Sequence, residues 1–292
     1  MPKPIIINRT IKKYNKKIKV DGDKSLSIRF ALLASQAIGK SKAYNLLKSE
    51  DVVSTINCLK KLGVKIKWDK KNNFCLINGN GLNSYVYKDN LTLNGNNSGT
   101  CVRLLTSLLI NSSKKIKIVG DKSLSKRDMK RIIDPLTEFG ATFYPKNKNT
   151  LPLYIKGSNY LTPINYLELK GSSQCKSSVM LAALLTPGET KLMCKPSRNH
   201  TELLFKYLKI PIKIKKIKNF EIIRIKGRQN FNAFNYNVPS DISSSAFFIV
   251  LTLLSKGSKL ILEKVGVNKS RTGVIEILNK MGAKINLKNK KN

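Results

Sequence analysis

The sequence predicts an α/β protein assembled from a repeated βαβαββ unit, with one complete three-unit domain and a second domain left incomplete. Two observations predict it. Four stretches place a Ser- or Gly-rich turn directly before an apolar helical run: KSLSIRFALLAS (24–35), NSGTCVRLLTSLL (97–109), SSQCKSSVMLAALL (172–185) and DISSSAFFIVLTLL (241–254). Their markers Ser25, Ser98, Ser172 and Ser243 follow one another at 73, 74 and 71 residues, the regular spacing of an internal repeat. A Gly-centred phrase also recurs, as Leu62-Gly63-Val64-Lys65-Ile66, Phe139-Gly140-Ala141-Thr142-Phe143 and Met281-Gly282-Ala283-Lys284-Ile285. Gly just past a helix end, followed by alternating apolar residues, is a helix-to-strand junction.

Taken in order, Pro4–Asn8 reads as a strand with no partner in the first unit. Ser27–Ile38 reads as a helix stopped by Gly39, Lys42–Leu47 as a strand, and Ser49 and Asp51 as caps of a second helix running to about Leu62. The turn Lys70–Asn73 makes Phe74–Asn78 the return arm of a hairpin, and Phe220–Ile225 reads the same way. In the third unit the junction becomes Leu208-Lys209-Ile210-Pro211, so its Gly is lost. A fourth unit opens at Val238-Pro239-Ser240-Asp241, followed after its own junction by a polar tail, Leu287–Asn292. Residues 22–237 then form the complete domain, while 1–21 and 238–292 supply the first strand and first unit of the incomplete one. A single unit cannot cover both faces of its sheet, so 238–292 is expected to expose a large apolar patch. Trp68 and the pair Phe247-Phe248 are expected in the core.

With 292 residues and 41% hydrophobic composition the chain reads as globular. No apolar run has membrane-spanning length, and MPKPIIINRT lacks a signal-peptide core. Cys58, Cys75, Cys101, Cys175 and Cys194 are scattered, odd in number and never paired as CxxC, which suits reduced, buried thiols in a cytoplasm rather than a zinc site or disulfide framework. The net charge of +38 raises nucleic acid as a partner. That reading is disfavoured, because 46 lysines are spread along every segment and only nine basic residues are arginines. Five of those nine stand in or beside the repeated turns and short motifs, where a planar bidentate donor differs from a Lys. Each helix start offers unpaired N–H groups and the positive end of the helix dipole, and small residues there let an anion approach. The four starts suggest a site for more than one phosphate or carboxylate.

Six ordered motifs, GDKSLSIR (22–29), NSGTCVR (97–103), GDKSLSKRDM (120–129), SSQCKSS (172–178), SRNHTE (197–202) and PSDISSSAFF (239–248) leading to NKSRTG (268–273), make the chain resemble the 5-enolpyruvylshikimate-3-phosphate synthases, or 3-phosphoshikimate 1-carboxyvinyltransferases. The resemblance runs from Asp21 to Ile285. It implies an enolpyruvyl transferase-like fold of two three-unit domains whose helix starts face an interdomain cleft. The implied reaction moves the enolpyruvyl group of phosphoenolpyruvate onto the 5-hydroxyl of shikimate 3-phosphate and releases phosphate, with no cofactor and no metal. By motif position, Lys24 would bridge the two substrates and is the one catalytic candidate. Ser25, Arg29, Ser172, Ser173, Gln174 and Ser197 would hold shikimate 3-phosphate. Asn97, Gly99, Arg127 and Gln174 would hold phosphoenolpyruvate, and a Cβ at Gly99 would intrude on it. Arg103, Arg271, Asp241 and His200 are read as structural. Read without the family, Ser25, Ser27, Ser98 and Ser173 are equally plain helix caps.

The chain departs from the family pattern at Asn96, where Gly is usual, and after Ile285. There the family's IDE-type aspartate, its KES-D-R segment, a further arginine and a late lysine have no counterpart, so no acid in 1–292 is assigned to proton transfer. The expectation is a C-terminally truncated member that alone binds shikimate 3-phosphate weakly and turns over negligibly. A split enzyme completed by a complementary C-terminal chain, a non-catalytic binding remnant, and an RNA-binding or RNA-end-processing protein on similar units stay open. The sibling transferase acting on a UDP-sugar is disfavoured, since it would open with Lys-Asn rather than Lys24-Ser25.

Overall fold

The computed structural model describes residues 11–289; the strand read at Pro4–Asn8 lies outside them. The chain divides into two compact units, Gly22–Val238 and the residues flanking it on both sides. Strand β1 (Asn15–Ile18) belongs to the flanking unit. The larger unit runs α1 (Lys24–Gln36), β2 (Ile38–Tyr44), α2 (Glu50–Lys61), β3 (Lys65–Asp69) and β4 (Phe74–Asn80). It continues through β5 (Leu91–Asn94), α3 (Gly99–Ser107), β6 (Lys115–Val119), α4 (Lys130–Glu138), β7 (Thr142–Tyr144) and β8 (Leu153–Lys156). A third stretch gives β9 (Asn165–Glu168), α5 (Ser173–Leu185), β10 (Glu189–Cys194), α6 (His200–Tyr207), β11 (Ile212–Ile217), β12 (Phe220–Lys226) and finally β13 (Asn235–Asn237). The flanking unit adds α7 (Ile242–Leu254), β14 (Lys259–Leu262) and α8 (Gly273–Lys280).

The larger unit holds three four-stranded sheets of one design, ordered β13-β2-β4-β3, β5-β6-β8-β7 and β9-β10-β12-β11. In each, the first two strands are parallel and the last two form an antiparallel hairpin; in the second and third sheets a helix, α3 or α5, joins the parallel pair. The first sheet borrows its leading strand, β13, from the far end of the unit. Helix α3 packs on both α1 and α5 at the centre. Eleven of thirteen residues are buried in α1 and again in α5, as expected of helices apolar on every side. The flanking unit contains the parallel pair β1–β14 with α7 packed on β14.

Several element boundaries differ from the sequence reading, each for a local reason. Helix α1 starts at Lys24 rather than Ser27, because the Asp23 carboxylate accepts from Leu26 N at 2.9 Å and caps it. Asp241 caps α7 in the same way, whereas Ser98 and Ser172 themselves cap α3 and α5. Gly39 does not stop α1. The chain leaves the helix earlier because Ile38 N donates to Phe231 O at 2.9 Å, and Gly39 lies inside β2 with φ +104°. That strand ends at Tyr44 rather than Leu47, where Asn45 turns to φ +62°. Ser49 stands at the start of α2 without a capping side-chain bond. Where the third unit lacks its Gly, Lys209 itself takes the left-handed conformation at φ +57°, as Gly63 (+84°) and Gly140 (+113°) do elsewhere. Residues 283–288 follow Gly282 without forming a strand; among the described residues no hairpin arm is present to pair with them.

Val238, read as opening the fourth unit, is held in the larger one, its carbonyl accepting from Asn45 Nδ2 at 3.0 Å. Trp68 packs half-buried against the core, but Phe247 and Phe248 are exposed, because among the described residues little besides β14 meets α7. All five cysteines are buried and unpaired. No helix among the described residues is long and apolar enough to cross a membrane.

Candidate functional site

The site begins at the start of α5. Glu168, buried at the end of β9, accepts from the amides of Lys170 (3.0 Å) and Ser172 (3.1 Å), drawing the loop tight. Ser172 Oγ then accepts from Cys175 N at 3.3 Å. Of the four N–H groups a helix start leaves over, those of Ser173 and Gln174 remain for a ligand. Beside them, Arg29 projects from the second turn of α1 and is buried. Its Nε donates to Thr201 Oγ1 (2.8 Å), Nη2 to Ser177 Oγ (2.7 Å) and Nη1 to the Ser25 carbonyl (3.2 Å). Those bonds lock the guanidinium plane and join α1 to α5 and α6.

The opposite wall is the loop before α6. Lys176, fully buried on α5, places Nζ 2.5 Å from Glu202 Oε1 and 3.5 Å from Glu221 Oε2, and reaches the Ser197 carbonyl at 3.4 Å. A cation in the interior needs such partners. Here they also fix Ser197, whose buried hydroxyl has no hydrogen-bond partner among the described residues. Between these walls lies a cavity of about 550 Å³, within the usual range for small-molecule sites. Arg29, Arg131, Lys170 and Arg198 line it, no carboxylate and no aliphatic side chain does, and the remaining lining is hydroxyl, amide, glycine and His200.

A second cluster stands at the start of α3. Asp121 accepts from Leu124 N (2.7 Å) and from Asn97 Nδ2 (2.6 Å). These bonds, the Leu124 amide foremost, hold its carboxyl below the usual range. Asn97 Oδ1 in turn accepts from Arg127 Nη2 at 3.3 Å. A Cβ at Gly99 would lie 3.3 Å from both Arg127 Nη1 and Arg103 Nη1, so glycine keeps two guanidiniums at the helix start. Arg103 donates to Gln174 Oε1 (2.6 Å) and to the Asp128 carbonyl (3.0 Å), while Gln174 Nε2 donates to Thr100 Oγ1 (3.0 Å). Gln174 thereby ties this cluster to the cavity. Burial, with repulsion from Arg131 and Arg127, pulls the Arg103 pKa below its ordinary value. Asn96 accommodates its side chain by turning to φ +47° and donating from Nδ2 to Ser54 Oγ at 2.8 Å.

Of the sequence candidates, Ser25, Arg29, Ser172, Ser173, Gln174 and Ser197 line this same cavity. Asn97, Gly99 and Arg127 lie together beside it. Lys24 does not line it: its side chain is 45% exposed, with Nζ 3.3 Å from Asp51 Oδ2, a surface pair of small worth. Arg103 makes the structural bonds expected of it and also reaches the Gln174 amide. His200, read as structural, is buried but lines the cavity. Sequence reasoning missed Arg131, Lys170 and Arg198. Arg198 sits inside a quoted motif and Arg131 two residues beyond another, and both kept arginine in a lysine-rich chain. Among the described residues no group of three or more His, Cys, Asp or Glu side chains is placed to hold a metal.

Residues 8–292 match the family described as EPSP synthase (3-phosphoshikimate 1-carboxyvinyltransferase). A 3-phosphoshikimate 1-carboxyvinyltransferase of Petrotoga mobilis is 38% identical over 281 residues, covering 95% of this chain and 63% of the relative. One from Streptococcus pyogenes serotype M4 is 40% identical over 270 residues, covering 92% and 62%. The solved EPSP synthase of Acinetobacter baumannii superposes with a TM-score of 0.83 at 37% identity, over 93% of this chain and 60% of that one. The chain thus spans a little over three-fifths of the length of the curated relatives it matches.

Proposed function

The chain belongs to the EPSP synthase family, and from that premise we propose that it binds shikimate 3-phosphate and phosphoenolpyruvate and serves transfer of the enolpyruvyl group to the 5-hydroxyl with release of phosphate. The observation that carries this is the cavity itself, lined by four cations and otherwise by hydroxyls, amides, glycine and His200, without a carboxylate. Such a lining favours a small hydroxylated polyanion over an apolar ligand. In this reading Ser172, Ser173, Ser197 and the α5 amides take the phosphate of shikimate 3-phosphate, and Ser25 and Arg29 take the rest of the ring and its carboxylate. Gln174 stands between the two substrates. Asn97, Gly99 and Arg127 face phosphoenolpyruvate, with the Arg103–Arg127 pair supplying positive charge where the leaving phosphate gathers negative charge. Lys24 would reach this site only by giving up Asp51.

No carboxylate lines the cavity, so we assign proton transfer to groups outside it, in the part of the family's length that this chain does not span. The assignment requires that part of the family's length, whether on this same polypeptide or on a complementary C-terminal chain. Titrating shikimate 3-phosphate into the chain by calorimetry should give saturable heat, and unphosphorylated shikimate should bind at least about tenfold more weakly, the worth of one charge-assisted hydrogen bond. Phosphate release from both substrates should be negligible for the chain alone and should appear when the C-terminal part of the Streptococcus pyogenes relative is supplied. Absence of heat with shikimate 3-phosphate would remove the reading altogether.

A further inference from the structure

Resting on that reading, we propose that Arg131 is a direct ligand of the phosphate group of the sugar-acid phosphate. Arg131 lies in the first turn of α4, which packs against α5, and it lines the same cavity as Ser172 and Ser173. Its Nε is buried and has no hydrogen-bond partner among the described residues, which also offer it no ion pair. Leaving a buried guanidinium N–H without an acceptor is costly. Folding therefore holds this group ready for an acceptor that arrives from outside.

Two neighbours say which acceptor. Arg131 shares the cavity lining with Arg29, Lys170 and Arg198 and its charge also repels Arg103, so positive charge gathers there and favours an incoming anion. It also acts on Cys175 in the first turn of α5, opposing the burial and the Glu168 charge that push that thiol up to about 12. Arg131 thus flanks the α5 start, where the Ser173 and Gln174 amides are left over and the dipole is positive. A phosphate dianion there meets amides, serine hydroxyls and a planar fork able to grip two of its oxygens, a geometry a lysine cannot reproduce.

The test compares shikimate 3-phosphate with unphosphorylated shikimate as calorimetric titrants of the wild-type chain, Arg131→Gln and Arg131→Lys. Thermal unfolding of each variant confirms the fold, and Arg131→Lys carries the comparison if Arg131→Gln does not fold. The expected result is a loss of about tenfold or more in affinity for the phosphorylated ligand in Arg131→Gln, a smaller loss in Arg131→Lys, and no change for shikimate. Unchanged affinity for both ligands would overturn the assignment, as would an equal loss for both, which marks a general structural role. Those outcomes leave the proposed function standing. A wild-type chain that binds no shikimate 3-phosphate would instead bring down that function and this inference together.

Discussion

Lys176 shows how one side chain can organise a site it does not enter. Its ammonium is fully buried between Glu202 and Glu221 and reaches the Ser197 carbonyl, so interior charge pairing sets the position of a cavity wall. Truncating one partner of such a group leaves the others buried and uncompensated. Lys176→Met is expected to destabilise the larger unit by about 3–5 kcal/mol, read as a lowered urea midpoint. An unchanged midpoint would mean that the two carboxylates are satisfied without the lysine. The motif SSQCKSS showed that position 176 belongs to the α5 start, but it could not show the charge partners. Glu202 lies 26 residues downstream and Glu221 another 19, and only the packing of α5 against α6 and β12 brings the three together. Arg131 escaped the sequence reading for the same reason. Which residue of α4 faces the cavity depends on how α4 seats on α5.

Among the elements, the repeat extends beyond the helix starts that announced it. Gly79, Gly157 and Gly227 each bring the end of a hairpin strand against backbone carbonyls at the end of α1, in the turn just after α3 and at the end of α5. An added Cβ would lie 2.3 Å from Ala37 O, 2.2 Å from Ile110 O and 1.9 Å from Thr186 O respectively. No side chain fits at such a backbone-to-backbone contact. Gly227→Ala should therefore cost at least about 1–3 kcal/mol, the usual range for overpacking, seen as a lower thermal midpoint. An unshifted midpoint would show that the strand end can move away at little cost. Helix starts and Gly junctions were readable because capping and left-handed conformations constrain residue type locally. Strand limits were read less well, since β2 is set by pairing with β4 along its whole length and with Phe231 and β13, almost two hundred residues away, at its two ends. The three residues of β13, Asn-Tyr-Asn, carry no strand pattern that a sequence reading could find.

At the scale of the whole molecule, the two units differ in how well each covers its apolar surface. Helix α7 buries only Ile242 and Ser245, leaving Phe247 78% and Leu254 81% exposed, and Met281 beyond α8 is 77% exposed. The larger unit keeps an extensive core by contrast. Limited proteolysis should cut within 239–289 well before Gly22–Val238, because local stability follows buried apolar contact. Equal survival of both would contradict the poor packing of α7.

The closure of the first sheet by β13 has a topological consequence. Gly22 sits so close to Val238 that a Cβ on it would lie 3.1 Å from Val238 Cγ1, so the larger unit starts and finishes at one spot. Its three modules form a ring in which the physical order of the gene is only one of three equivalent cuts. A short tether from 238 to 22, with a new opening at the exposed Asn159-Tyr160 loop, would leave every strand its partners and carry the cavity intact into a circularly permuted protein.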